Sequence, residues 1–245
     1  MSRRFKFVRE TDSTNELMKE LLWTSDLPEG FVLRTDFQSR GKGQGTNRWE
    51  SAKSKNLLFS LLLRPVNVPV EEQFLISQIV SLAICDSLKA LSSSQEKEFS
   101  VKWPNDIYWK NKKIAGILIE NTWQGRRIAS SVIGIGLNVN QKQFLSGAPN
   151  PVSLLQIFGK RFRRKAILKT ILSMINAYCS DSNQDSLRMK YHQSLFRRDG
   201  FYTYRSGKIT FEAEIVEVAN DGRLMLRDKD GKVSGYYFKE VEFVL

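Results

Sequence analysis

Strand-type and helix-type runs mix along residues 1–197 without a strict alternation, and that order restricts the fold more than any other feature of the sequence. A doubly wound parallel sheet needs a helix between consecutive strands. Here residues 5–9 and 31–37 read as strands around a helix at 13–23, with Leu17, Leu21 and Leu22 on one side. Leu57–Arg64 reads as a buried strand, and Phe74, Leu75, Ile79, Leu82, Ala83 and Leu88 predict one long core helix over 71–91. Strand-type runs then follow at 99–103, at 107–109 with 113–120 as a hairpin around Lys110-Asn111-Lys112, and at 128–139, with only turns between them. Helices return at about 163–180 and 184–196. The expected architecture is α+β: a mixed sheet with helices mainly on one face.

The character changes at residue 198. Residues 198–245 hold short alternating strands punctuated by Gly207, Asp221-Gly222 and Asp230-Gly231, which is hairpin chemistry. The expected boundary therefore divides a catalytic-sized domain, 1–197, from a small SH3-like β-barrel of about five strands, 198–245. Two helix starts carry capping-box patterns, Ser13 with Glu16 and Ser153 with Gln156.

Composition narrows the class. The chain is 41% hydrophobic and 11% aromatic, unlike a disordered segment. The N-terminus has no long apolar run of the signal-peptide kind, and no apolar stretch is long enough to span a membrane. Cys85 and Cys179 are far apart with no CxxC partner, which argues for a reducing, cytoplasmic setting and against a disulfide scaffold. With 38 Lys and Arg against 26 Asp and Glu the net charge is +12, so anionic partners are expected: nucleic acid, nucleotide phosphates or an acidic protein. The densest basic run, Lys160, Arg161, Arg163, Arg164 and Lys165, opens a helix. It reads either as a solvated face or as a phosphate or acidic-partner contact.

Several chemistries are unsupported. His192 is the one histidine, and there is no G-x-S-x-G, no Cys-His signature and no HExxH, so neither a nucleophilic triad nor a protein-held metal is expected. GKGQGTNRW is not a Walker A loop and lacks the strand-turn-helix setting of G-x-G-x-x-G. Two segments remain. Residues 38–56, nineteen in all, form a polar glycine-rich loop, and loops of that length inside a domain are commonly functional. Its glycines let backbone N–H groups approach an anion, Lys42 and Arg48 add charge, and Trp49 offers a flat face. A flexible surface loop is the other reading. VKWPNDIYWKNKKIAGILIE, 101–120, sets Lys102 and Lys113 around a Trp-Pro turn, an amide and a carboxylate. It reads either as a plain hairpin turn or as a site for an anionic ligand.

Four segments, in order, resemble a biotin–protein ligase: STN at 13–15, QSRGKGQGTNRW at 38–49, KWPNDIYWKNKKIAGIL at 102–118 and GIGLNVN at 134–140. KWPND in register with KIAGIL is the specific part. The resemblance implies activation of biotin by ATP with Mg²⁺, then transfer to a lysine of a biotin carboxyl-carrier protein domain. It implies Lys113 and Asp106 as catalytic residues. Biotin contacts would come from Ser13, Thr14, Asn15, Gln38, Lys42, Gly43, Gln44, Lys113 and Gly116, and ATP contacts from Lys42, Arg48, Trp49, Lys102, Asn105 and Asn138. Trp103-Pro104 would shape the turn. Lys42 stands where the family usually has arginine, Gln44 and Asn47 at positions that are arginine in some members, and Ser54 where many members have glycine before NL. STN begins at residue 13, so the resemblance implies the monofunctional form without a DNA-binding domain and no specific DNA partner. A lipoate–protein ligase and a basic nucleic-acid-binding module remain the alternatives.

Overall fold

The computed structural model describes residues 4–65, 68–91, 98–145 and 150–245. In chain order the elements begin with β1 (Phe5–Val8), α1 (Thr14–Thr24), β2 (Val32–Thr35), β3 (Leu57–Leu63), α2 (Phe74–Lys89), β4 (Phe99–Lys102) and β5 (Asp106–Trp109). They continue with β6 (Lys112–Gln124), β7 (Arg127–Leu137), α3 (Leu154–Phe158), α4 (Arg164–Ser180) and α5 (Gln184–Gln193). The chain ends with β8 (Tyr202–Ser206), β9 (Ile209–Val218), β10 (Leu224–Asp228), β11 (Val233–Tyr236) and β12 (Glu242–Phe243). Two compact units result, Met1–Val70 with Lys112–Ser173 and Glu71–Asn111 with Met174–Leu245.

In the first unit the strands hydrogen-bond in the order β1-β2-β3-β7-β6, with β1 and β2 parallel and the other pairs antiparallel. Side chains alternate across a strand, so the registers fix what shares a face. Leu33 pairs with Ser60, Leu62 with Val132, Ser60 with Gly134, Leu118 with Gly134, Glu120 with Val132 and Gly116 with Gly136. One face therefore reads Val132, Gly134, Gly136 along β7. Helix α1 covers its apolar end: Met18 packs with Leu27, Phe31, Leu33, Leu62 and Val132, and Leu17, Leu21 and Leu22 lie against the cluster. Each buried leucine there stabilises by about 1.5–3 kcal/mol.

In the second unit α2 is buried along most of its length, β4 and β5 form a hairpin, and Tyr178 Oη donates to Asp86 at 2.5 Å. The C-terminal strands pair antiparallel in the order β11-β10-β9-β8-β12. This is an open five-stranded sheet and not the closed barrel expected. Its edge strand β12 is two residues long, paired through Glu242 and Phe243 with Arg205 and Tyr204, and offers too little backbone to complete a ring. The expected turns are present: Gly207, Gly222 and Gly231 all have positive φ.

The two capping patterns part company. Ser153 forms its box with Gln156, both reciprocal bonds being present. Ser13 occupies the N-cap of α1 with extended backbone but makes no side-chain cap. Glu16, which would close that box, is taken by two ammonium groups, Lys19 at 2.7 Å and Lys42 at 2.8 Å. The basic run is also partly absorbed: Arg164 donates to Asp36 at 2.9 Å and to the Asn56 carbonyl at 3.1 Å. No helix among the described residues is long and apolar enough to cross a membrane.

Asn56 ties loop to sheet. It is 0% exposed; Nδ2 donates to Gln141 Oε1 at 2.6 Å and Ser51 Oγ at 3.2 Å, and Oδ1 accepts from the Val139 amide at 3.0 Å. Asn56→Leu strands the Val139 N–H, a buried orphan that costs about 1–3 kcal/mol, while Gln141 Oε1 keeps the Ala52 amide at 2.9 Å. Urea unfolding should show a loss of about 1–3 kcal/mol; a midpoint close to wild type would show that the network does not hold this loop.

Candidate active site

Ser13, Thr14 and Asn15 start α1 and are 3%, 3% and 2% exposed. Asn15 is fixed on both sides of Gly134. Its Nδ2 donates to the Leu118 carbonyl at 3.2 Å and to Glu120 Oε2 at 2.7 Å, while its Oδ1 accepts from Ser60 Oγ at 2.6 Å. A Cβ at position 134 would lie 2.5 Å from Asn15 Oδ1, so this approach needs glycine. Thr14 next to it sends both its amide, at 2.8 Å, and its Oγ1, at 3.0 Å, to Gln38 Oε1. That fixes the carboxamide and turns the donor end, Nε2, toward Gly41.

The glycine-rich loop is a small hairpin rather than a featureless strap. Lys42 and Arg48 bridge, Gly43 N–H donates to the Asn47 carbonyl at 2.8 Å, Trp49 N–H donates to the Gly41 carbonyl at 2.9 Å, and Gly45 turns the tip with φ of 65°. The return strand throws the Trp49 indole onto the sheet face left bare by Gly116 and Gly136. A Cβ at Gly116 would lie 2.9 Å from the ring, and one at Gly136 closer still. Lys113 Nζ stands 5.7 Å from the ring centroid. Trp49 Nε1 and Gln44 Oε1 are both buried without a hydrogen-bond partner.

Charges hold the loop to α1. Lys42 Nζ meets Glu16 at 2.8 Å, Lys19 meets Glu16 at 2.7 Å and Glu120 at 2.8 Å, and Asp12 accepts from Arg40 and Ser39. Hydrogen bonds from Lys19, and then from Lys42, hold the Glu16 carboxyl below its ordinary value. Burial pulls the Lys19 ammonium down, but its bonds to Glu120 and Glu16 outweigh that and leave it raised.

The first unit thus brings together Ser13, Thr14, Asn15, Gln38, Lys42, Gly43, Gln44, Trp49, Lys113 and Gly116. Arg48 is exposed on the hairpin, and Asn138, 3% exposed, belongs to the Asn56 network, with Nδ2 of Asn56 3.4 Å from its Oδ1. Lys102, Asn105 and Asp106 lie in the second unit, on and between β4 and β5, where Lys102 pairs in register with Asp106. Lys102 Nζ sits 4.7 Å from the Phe243 ring centroid. Trp103 is 3% exposed and donates from Nε1 to the Gly222 carbonyl at 2.9 Å, a turn-shaping role.

Sequence reasoning missed Glu120, Lys19, Ser60 and the separate duties of Gly134 and Gly136. The glycines had a signal: G-x-G inside a strand places both on one face, where something must approach closely. The chemical capacity is a hydrogen-bonding end at Thr14 and Gln38, a glycine-floored slot under an indole, and a lysine beside it. That suits a ligand with a polar ring at one end and an anionic group at the other.

Residues 7–138 match the family described as biotin/lipoate A/B protein ligase, and the chain belongs to that family. It is 32% identical over 165 residues to a bifunctional ligase/repressor BirA of Bacillus spizizenii, covering 65% of this chain and 49% of that protein. It is 33% identical over 142 residues to a biotin--[acetyl-CoA-carboxylase] ligase of Mycobacterium tuberculosis, covering 57% of this chain and 50% of that one. The chain spans about half the length of these relatives. Its fold resembles biotin protein ligase from Aquifex aeolicus in complex with biotin and ATP, with TM-score 0.80, 24% identity and coverage of 98% and 99% of the two chains.

Gly136→Ala should drive the indole from its slot at a cost of about 1–3 kcal/mol. Collisional quenching of tryptophan fluorescence by acrylamide should rise, and the rise should vanish in a Trp49→Phe background. Unchanged quenching would place the indole elsewhere.

Proposed function

We propose that this chain is a biotin–protein ligase. It joins the biotin carboxylate to ATP and passes the biotinyl group to a lysine of a biotin carboxyl-carrier protein domain. The carrying observation is the placement of Lys113 beside the glycine-floored slot under Trp49, in the same unit as the Thr14–Gln38 pair. The relatives' names, and the biotin and ATP in the Aquifex aeolicus complex, support the substrates.

In the first step a carboxylate oxygen of biotin bonds to the α-phosphorus of ATP. The bond to the β-phosphate bridge breaks, and pyrophosphate leaves. Both reactants are anions, so a fixed cation where charge builds at phosphorus lowers the barrier. Lys113 fills that role, and no side-chain nucleophile is needed. Ser13, Thr14 and Gln38 supply donors and acceptors for the ureido ring. Lys42, Gly43 and Gln44 bring the loop's amides and charge to biotin, and the resemblance assigns the nucleotide contacts to Lys42, Arg48, Trp49, Lys102, Asn105 and Asn138. Among the described residues no group of three or more His, Cys, Asp or Glu side chains could hold a metal ion. Mg²⁺ fits as an ion carried by the triphosphate, which needs only one or two protein oxygens; Asn105 and Asp106 carry donors of that kind. In the second step the neutral ε-amine of the carrier lysine attacks the acyl carbon, AMP leaves and Asp106 takes the released proton. Loop 38–56 excludes water from the mixed anhydride between the steps.

The carrier is read as an acidic surface meeting a chain of net charge +12. The setting is read as cytoplasmic from the two distant cysteines of the sequence, which form no CxxC pair. Lipoate is the competing acid, because the family description covers both ligases.

ATP–pyrophosphate exchange decides between them: biotin should support exchange and lipoate should not. Lys113→Ala should keep its fold and lose about 10²–10³ in exchange rate, and near-wild-type exchange would remove Lys113 from the mechanism. Asp106→Asn is expected to slow carrier biotinylation at least as much as exchange. Single turnover from preformed adenylate reads that step alone, and full-rate transfer would leave the carboxylate a structural role.

A further inference from the structure

Glu120 carries a carboxylate on the same sheet face as Gly134 and Gly136, and each of its oxygens has a separate partner. Oε2 accepts from Asn15 Nδ2 at 2.7 Å, and Oε1 accepts from Lys19 Nζ at 2.8 Å. From Oε2 the chain of contacts runs through Asn15 to its neighbour Thr14, whose amide and hydroxyl grip Gln38. From Oε1 it runs through Lys19 to Glu16 and on to Lys42. Both limbs end on the glycine-rich loop, four residues apart.

Both N–H donors of the Asn15 side chain are taken by the protein. Its amide group donates to Leu118 O and Glu120, and its oxygen is held by Ser60. It therefore orients its neighbours instead of donating to a ligand. A charged acceptor makes a stronger bond than a neutral one, so Glu120 decides which way the Asn15 amide faces.

We propose that Glu120 is a positioning residue for the ligase reaction: one limb sets Thr14 and Gln38 for the ureido ring, and the other tethers the loop through Lys42. This rests on the biotin-ligase reading for its substrate and on the structure alone for the tether. The two limbs predict separable effects. Lys19→Ala cuts only the loop limb. Glu120→Gln keeps an oxygen acceptor for Asn15 and loses the charge that Lys19 needs. Glu120→Ala cuts both.

Two measurements on each purified, folded variant test this. In biotin-dependent exchange, Glu120→Ala should raise KM for biotin about tenfold with kcat changed less than about threefold, the mark of lost positioning rather than lost chemistry. Glu120→Gln and Lys19→Ala should stay within about threefold of the wild-type KM. In limited trypsin digestion without ligand, all three should be cut faster than wild type at Lys42 and Arg48. This second reading needs no substrate, so wild type failing to exchange with biotin would defeat the ligase reading while digestion still judged the tether. Wild-type loop cleavage in Glu120→Ala would overturn the tether, and a wild-type KM would overturn the positioning of Thr14 and Gln38. If Glu120→Ala does not fold, Glu120→Gln and Lys19→Ala still decide: cleavage at the wild-type rate in both overturns the proposal.

Discussion

The absence of a side chain at two alternate positions of β7 is the constraint on which the rest of this site depends. Val132, Gly134 and Gly136 point to one face of the sheet, and what sits above them changes in step. Over Val132 lies the apolar side of α1. Over Gly134 lies Asn15, close enough that a methyl would collide with its oxygen. Over Gly136 lies Trp49. A strand that gives up side-chain packing at two positions loses stability there. What it gains is a backbone surface that other groups can touch, first a helix N-terminus and then a covering ring.

The charges about this surface have unequal weights. Lys42–Glu16 and Arg40–Asp12 tie the loop down with side chains that are 52% and 35%, and 74% and 50%, exposed. Pairs so open to water contribute about 0–1 kcal/mol each. Arg164–Asp36, at 18% and 24%, is better shielded and bonds to the Asn56 carbonyl as well. The frame behind the loop is thus held by buried polar bonds, and its front by contacts that a ligand can displace. On the ligase reading, a loop that admits two substrates and releases a large product needs that division.

Much of this was legible because local signals agreed with the global pattern. The long helix, the hairpin after WPND and the closely spaced terminal strands follow from periodicity and turn residues. At the starts of β5, β6 and α4 a single residue separates expectation from structure, the ordinary scatter of element ends. Ser13 misled, because a capping box is a two-body pattern and Glu16 found two lysines that no local string reveals. The barrel misled because alternation and hairpin glycines specify antiparallel pairing without specifying closure. Lys42 was legible as a cation but not as a partner of Glu16. Glu120 was invisible as a functional residue: a lone carboxylate in a strand acquires meaning only when register brings it beside Asn15 and Lys19.

The arrangement also leaves two polar groups without partners, Trp49 Nε1 and Gln44 Oε1, both in the loop. A buried donor or acceptor left unmade costs about 1–3 kcal/mol. That cost falls on the state in which the indole rests directly on the glycine floor. Gln44 offers an amide to the slot and no charge, and lysine at 42 is a point charge already engaged by Glu16. Lys113, fixed to β6 and not to the loop, becomes the cation whose place does not depend on loop closure. On the ligase reading, activation then leans on the sheet and retention of the adenylate leans on the loop. The two steps are thereby assigned to parts of the site with different rigidity.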